Sequence, residues 1–337
     1  MLKRQVDGLA IVNKLKWINL FKPVKIRRKT GLIFLAIKRN FLSFFYLKKL
    51  RHNYDIVYSI SSVLDLVIFP YFLKRKDAKV KWVVVFDNTV PLLDPGNKFI
   101  RFLVWIFFNI SLILLKKADK IFAISEDLKQ FLLKKGFKKE QIVVTGNAVE
   151  CAMIKMAKKN YSCNIDALFI GRINETKGIF DMLKVLAIVK IAYPDFQLAI
   201  MGDGDEATKN KFKNKIKTME LVDNIQFLGY KTGIEKFNIL KSSKCFWFLS
   251  ESESFGIALL EAVCSGLPSF AYDLAPYKNI YKNNEVMIFN KNDYYAVANK
   301  VIEIFNKKEF DNKKGELLVE KYSWDNIAKI EFDSFNV

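Results

Sequence analysis

Cysteine and histidine are scarce in this 337-residue chain, and their scarcity removes whole classes of chemistry. The four cysteines, Cys151, Cys163, Cys245 and Cys264, form no Cys-x-x-Cys pair and no ligand cluster. A disulfide scaffold and a cysteine-based zinc site are therefore excluded, and the thiols read as reduced, buried groups of a cytosolic protein. The single histidine, His52, lies beside Arg51, Asn53 and Tyr54 in what reads as a loop before a strand. That rules out a His-rich metal centre and any Ser-His-Asp arrangement not built on His52. No uncharged run is long enough to span a bilayer: the longest, Phe102 to Leu115, has fourteen residues, against about 20 for a spanning helix. It reads as a core or interfacial helix. Met1 to Asp7 lacks the apolar region of a signal peptide. A full G-x-G-x-x-G is missing too; Gly202-Asp203-Gly204 is half of one, a weak sign of a dinucleotide site.

Charge is present in quantity but on one side. Met1 to Asn160 carries 32 Lys+Arg against 11 Asp+Glu, a net +21, while the remainder has 23 against 24, a net −1. Such asymmetry implies an anionic partner for the first half: nucleic acid, an anionic membrane surface or an acidic acceptor. Lys25-Ile26-Arg27-Arg28-Lys29 precedes Leu32-Ile33-Phe34-Leu35, and Lys38-Arg39 precedes Phe41 to Leu47. Basic residues interleaved with bulky apolar ones suit a helix lying among lipid headgroups. An ordinary basic surface over a buried helix would read the same way. No nucleic-acid-binding motif accompanies the charge.

At this length, and with 51% hydrophobic residues, the chain suits two domains. Leu9 to Val12 could be a strand. Clearer strands are expected at Asp55 to Ser59, Lys81 to Phe86, Lys120 to Ile124 and Gln141 to Thr145, with helices between them at Val63 to Lys74, broken near Pro70, at Phe99 to Lys117, and after Ser125. Lys155 to Ser162 reads as a linker. Alternation then resumes, with strands at Asp166 to Ile170, Phe196 to Met201, Ile225 to Leu228, Lys244 to Leu249 and Ser269 to Tyr272. Strands alternating with helices make an α/β protein with parallel, doubly wound sheets. Nearly every strand of the second half empties into glycine and charge. In such sheets the carboxyl ends of the strands form the ligand crevice.

The richest of these turns is Ser250 to Pro268, S-E-S-E-S-F-G-I-A-L-L-E-A-V-C-S-G-L-P. A helix starting near Gly256 would put Glu253 at its mouth and Glu261 two turns deeper, with unpaired N–H groups and positive dipole favouring an anion between them. Gly266-Leu267-Pro268 would end it. Gly171-Arg172-Ile173 followed by Lys177-Gly178 sets a planar fork and a mobile ammonium at another strand end, a pair suited to pyrophosphate. The plainer readings are a solvated acidic loop before a buried helix and a solvated lysine before another.

In this order, G-R-I, K-G, M-G-D-G, F-L-G-Y, E-S-F-G-I-A-L-L-E-A and G-L-P resemble the nucleotide-sugar half of glycosyltransferase family 4, group 1 retaining enzymes of the GT-B fold, over most of Asp166 to Pro268. Tyr322-Ser323-Trp324-Asp325 resembles the family's closing helix, and Ala118-Asp119, Ser125-Glu126 and Asn147 match the first half loosely. The resemblance implies two Rossmann-like domains facing a cleft: residues 1–154 for the acceptor, 155–320 for the donor, and 321–337 returning to the first. It implies Arg172 and Lys177 on the donor's diphosphate in place of a metal, Glu261 on ribose hydroxyls and Glu253 on the transferred sugar, with Arg172, Lys177 and Glu253 forming the catalytic centre. Gly171, Gly202, Phe255, Gly256 and Ile257 would line the donor site, with Leu228 and Tyr230 near the base. Asp87, Asn88, Ser125 and Asn147 would lie on the acceptor side. No cofactor beyond the nucleotide sugar is implied. The departing phosphate would itself take the acceptor's proton.

Three departures qualify this. The family's opening strand and glycine-rich loop are missing, which points to a trimmed first domain; Asp87-Asn88 stand where many members have histidine; and Asn147-Ala148 replace Asn-Gly. The expectation is a cytoplasmic enzyme, peripheral at the inner membrane face, moving a sugar from a UDP or GDP donor to a polysaccharide or lipid-linked acceptor. The alternative is a catalytically silent scaffold of the same fold.

Overall fold

The structure, a computed structural model, describes residues 38, 55–90, 98–159 and 164–336. The strand expected at Leu9 to Val12, the basic stretch around Lys25 to Leu47 and His52 lie outside the described residues. Two compact units are present, Met1–Gly146 with Ala328–Val337, and Asn147–Ile327.

In the first unit the described strands form one parallel sheet in the order β1 (Ile56–Ser59), β2 (Lys81–Phe86), β3 (Lys120–Ala123), β4 (Ile142–Val144). The helices between them are α1 (Leu64–Lys76), α2 (Lys98–Leu115) and α3 (Glu126–Lys134). Strand interiors such as Trp82 to Val84 and Ile121 to Ala123 are fully buried, as continuous apolar strands covered on both faces must be. The break expected at Pro70 does not occur; α1 runs through it. Proline removes the bond to the carbonyl four residues back, which is that of Leu66, and here the buried Ser59 hydroxyl donates to this oxygen at 3.0 Å. Helix α2 is apolar on nearly all sides. Ser111, Leu112 and Leu115 are buried, whereas Phe99, Phe102 and Ile113 are exposed. By length and composition alone α2 is able to cross a membrane, and of the core and interfacial readings of its uncharged run the exposed Phe99, Phe102 and Ile113 fit the interfacial one better.

The second unit carries α4 (Cys151–Met156), β5 (Ala167–Ile170), α5 (Ile179–Ala192), β6 (Leu198–Met201), α6 (Glu206–Thr218), β7 (Ile225–Gly229), α7 (Gly233–Ser242), β8 (Cys245–Phe248), α8 (Ile257–Cys264), β9 (Ser269–Tyr272), β10 (Met287–Phe289) and α9 (Tyr294–Lys307). Its six strands are all parallel, in the order β10-β9-β8-β5-β6-β7. The order reverses between β8 and β5, the point at which open parallel sheets leave a crevice beyond their strand ends. By contacts the two units divide at Gly146/Asn147. The reason is local: Val149 donates its N–H to the Tyr322 carbonyl at 2.8 Å and Lys155 pairs with Glu320 at 2.5 Å, which fastens α4 to the second unit.

The last helix, α10 (Trp324–Asp333), crosses into the first unit at Ala328. There Glu331 Oε2 accepts from the Tyr58 hydroxyl at 2.8 Å, and burial raises the Glu331 carboxyl to about 7. The folded chain therefore holds a proton that the unfolded chain releases near an ordinary carboxylate value of about 4.3. This contribution is full at low pH and is lost as pH rises through 7. Glu331→Gln should reduce the fall in melting temperature between about pH 5.5 and about pH 8. Equal falls in variant and wild type, by scanning calorimetry, would exclude this linkage.

Candidate donor site at the switch point of the second sheet

Strands β5 and β8 deliver the two halves of the site side by side. At the end of β5, Gly171 and the exposed Arg172 lead into a single 3-10 turn, Glu175–Lys177, where the Asn174 side chain accepts from the Lys177 N–H at 3.1 Å. Gly178 follows in the left-handed region. At the end of β8, Ser250 to Ser254 form the acidic turn, and the Glu251 N–H donates to the Thr176 carbonyl at 2.9 Å. The two loops are thus laid against each other. In consequence Lys177 Nζ donates to Glu253 Oε1, both side chains being largely buried, and lies 5.8 Å from the Phe248 ring centre. The Arg172 guanidinium makes no side-chain hydrogen bond or ion pair among the described residues.

Gly202 and Gly204 have a structural explanation. A Cβ on Gly202 would sit 1.9 Å from the Gly171 carbonyl oxygen, and one on Gly204 would sit 2.3 Å from that of Ile173. The Gly-Asp-Gly turn lets the end of β6 press on the loop carrying Arg172. It is not part of a dinucleotide fingerprint.

Helix α8 starts at Gly256, left-handed at φ 84°, and its first bond runs from the Leu260 N–H to the Gly256 carbonyl. Phe255 is buried edge-on against Tyr322, while Ile257 is exposed at the mouth. The helix closes as expected, Gly266 N–H donating to Val263 and Leu267 N–H to Ala262, a double C-terminal cap. Glu261 sits a little over one turn in, only 6% exposed. Burial pushes its carboxyl upward, opposed by Lys236, whose ammonium donates to Glu261 Oε1 at 2.5 Å. Leu228, half-buried, and Tyr230, exposed, flank the end of the edge strand β7, two strands from β5. A cavity of about 510 Å³ beside them, lined by Phe227, Lys231 and Glu235 among others, contains none of Arg172, Lys177, Glu253 or Glu261.

The residues expected on the acceptor side follow, along the chain, the carboxyl ends of three adjacent parallel strands, β2, β3 and β4. Asp87 and Asn88 follow β2, where the Asp87 carboxylate accepts from the Ser61 hydroxyl at 3.0 Å. Ser125 is buried and caps α3, accepting from the Leu128 N–H. Asn147 opens the second unit. Two residues near the donor site were not anticipated. Lys236 lies on α7, a helix whose signal, Ile234, Phe237 and Leu240 at intervals of three, was available in the sequence. Tyr277 lies 3.1 Å from where a Cβ on Gly256 would be, and its buried hydroxyl has no hydrogen-bond partner among the described residues. No local pattern marks it.

Residues 155–318 match the family model described as glycosyl transferases group 1, and residues 15–152 match that of glycosyltransferase family 4. The chain belongs to this family. Among curated relatives, the phosphatidyl-myo-inositol mannosyltransferase of Mycobacterium leprae is 29% identical over 167 residues, 48% of this chain and 43% of that protein. Of solved structures, a Rickettsia africae glycosyltransferase aligns with TM-score 0.71 at 19% identity, covering 99% of this chain and 86% of that one. A Staphylococcus aureus TarM variant crystallised with fondaparinux, alpha-GlcNAc-glycerol and UDP aligns with TM-score 0.67 at 23% identity, covering 88% of this chain and 58% of that one. These structural likenesses establish the fold, which is GT-B. The chain spans less than two thirds of the length of several curated relatives it matches.

Proposed function

We propose that this family member transfers a sugar, with retention of configuration, from a UDP or GDP donor to a polysaccharide or lipid-linked acceptor, without a metal. The observation that carries the reading is the group at the β5/β8 switch point: a guanidinium with no partner among the described residues, an ammonium on a carboxylate, a helix mouth, and a buried carboxylate a little over one turn inside it. An ammonium has three donors, so Lys177 can keep one on Glu253 and offer others to phosphate. Arg172 and Lys177 would neutralise the diphosphate as its bond to the anomeric carbon breaks. The acceptor oxygen bonds to that carbon on the same face, and its proton passes to the departing phosphate oxygen. Glu253 would orient the sugar, and Glu261 would accept from the ribose hydroxyls.

Relatives support the reading by what their names state, one a mannosyltransferase acting on phosphatidyl-myo-inositol, another a structure holding UDP. The acceptor would be met at the cytoplasmic face of an anionic membrane, a reading supported by the +21 of the first 160 residues and by the exposed apolar residues of α2. Asp87-Asn88, in place of the histidine common in the family, favour a second reading, a donor-binding scaffold without turnover.

A thermal-shift and hydrolysis screen of UDP- and GDP-sugars in EDTA tests the proposal. Stabilisation with slow sugar release, both lost in Glu261→Ala, is the expected result. Stabilisation without release would favour the scaffold, and no shift with any donor would remove the donor-site assignment.

A further inference from the structure

The ion pair between Lys236 and Glu261 is placed where a purely structural contact has little reason to be. Glu261 is on α8, whose other inward residues, Leu259, Leu260, Ala262 and Val263, are fully buried and apolar. A lone carboxylate in that row loses its hydration and tends to become neutral. Lys236 reaches it from α7, with its own side chain 18% exposed and its ammonium 4.4 Å from the Phe237 ring centre. Two cation-holding contacts therefore fix the ammonium, one with the carboxylate and one with an aromatic face. Among the described residues the bond from Lys236 is the one made to the Glu261 carboxylate, and it occupies Oε1. Oε2 accepts no hydrogen bond, yet it is not among the fully enclosed polar atoms without partners.

We propose that Lys236 is a positioning residue for nucleotide recognition: by holding Oε1 of Glu261 it keeps the carboxylate ionised and turned so that Oε2 receives the ribose hydroxyls of the donor. This rests on the assignment of Glu261 to the ribose. The hydroxyls are donors, and an ionised carboxylate binds them more strongly than its neutral acid does. Lys236 does not touch the reacting atoms. Its part is to make a buried acceptor available at neutral pH, and so to set the preference for a ribonucleotide over a deoxyribonucleotide.

The groups facing the Glu261 carboxyl are Lys236 on α7, Glu150 just before α4 and Cys264 on α8 itself. Burial and Glu150 raise its titration and Lys236 lowers it. With Lys236 removed, every remaining influence favours the protonated acid. Nucleotide affinity should then be lost on acidification at a higher pH than in the wild type, where Lys236 opposes the burial.

The test is calorimetric titration with UDP and 2′,3′-dideoxy-UDP, or with the corresponding GDP pair if GDP binds more tightly, on wild type, Lys236→Met, Lys236→Arg and Glu261→Ala. Wild type is expected to favour the ribonucleotide by about ten- to a hundredfold, the range for hydrogen bonds to a charged group. Lys236→Met should reduce that ratio to about threefold or less and move the loss of UDP affinity on acidification to higher pH than in wild type, while Lys236→Arg restores most of both. If Lys236→Met does not fold, Lys236→Gln, which keeps an amide donor, should show the same direction of pH shift with partial loss of the ratio. A Lys236→Met or Lys236→Gln protein with the wild-type ratio and the wild-type pH profile, while Glu261→Ala loses the ratio, overturns the role of Lys236 alone. If Glu261→Ala also keeps the ratio, the ribose assignment itself falls.

Discussion

Arg172→Ala should lower sugar transfer by about a hundred- to a thousandfold, the loss typical when one donor to a developing negative charge is removed, and leave the melting temperature where it was. The guanidinium is exposed and has no partner among the described residues, so folding loses nothing with it. Exposed substitutions away from such contacts stay within about 0.5 kcal/mol. Lys177→Ala should cost as much activity but act differently on stability. Its ammonium is the partner of Glu253, whose side chain is only 11% exposed. Removing one member of a largely buried pair leaves the other without compensation, at a cost of about 3 kcal/mol. The two variants therefore separate the clamp from the scaffold. Steady-state kinetics beside differential scanning fluorimetry checks both. Near-normal transfer by Arg172→Ala would remove the phosphate-clamp assignment, whatever the behaviour of Lys177→Ala.

Most of the second unit was legible in the sequence because its strands are short, continuous apolar runs ended by glycine. Ala167–Ile170, Leu198–Met201 and Ser269–Tyr272 fall within one or two residues of expectation. Where the reading went astray, a tertiary partner decided the matter. Pro70 should break its helix by local rules; a serine from the neighbouring strand satisfies the stranded carbonyl. Gly202-Asp203-Gly204 looks like half of a cofactor fingerprint, yet both glycines answer to the backbone of a loop some thirty residues earlier in the chain. Of the linker expected at Lys155 to Ser162, Lys155 and Met156 belong to α4 and Lys155 is fastened to Glu320, while residues 160–162 lie outside the described residues.

The same limit applies to the site. Spacing along the chain placed Glu253 just before the mouth of one helix and Glu261 a little over one turn inside it, because the glycine at 256 marks the helix start and each turn takes 3.6 residues. It could not reveal that each carboxylate already has an ammonium, Lys177 for one and Lys236 for the other, since those lysines come from residues 76 and 25 positions away. Two acidic groups near an expected diphosphate would be repulsive if bare. Paired, each has a lysine drawing off its charge, and the exposed Arg172 is left to attract the anion.

The steepest structural sensitivity should lie at Gly178. It has φ 69°, and a Cβ there would stand 1.8 Å from the Leu249 carbonyl oxygen, a backbone atom at the end of β8 that no rotamer change can move aside. Gly178→Ala adds left-handed strain of about 1–2 kcal/mol to a clash that only separation of the two loops relieves. A loss of more than about 3 kcal/mol is expected in denaturant unfolding. Gly233→Ala is the control. Gly233 has nearly the same φ, 61°, but nothing within 4 Å of the added atom, so only the strain of about 1–2 kcal/mol applies. If the two variants lose the same stability, the contact with Leu249 carries no weight and conformation alone explains both. If Gly178→Ala is far worse, any of it that does fold should bind nucleotide poorly as well. The movement that relieves the clash draws the Lys177 turn away from the turn that carries Glu253, and the fold and the anion site depend on the same close approach of backbone to backbone.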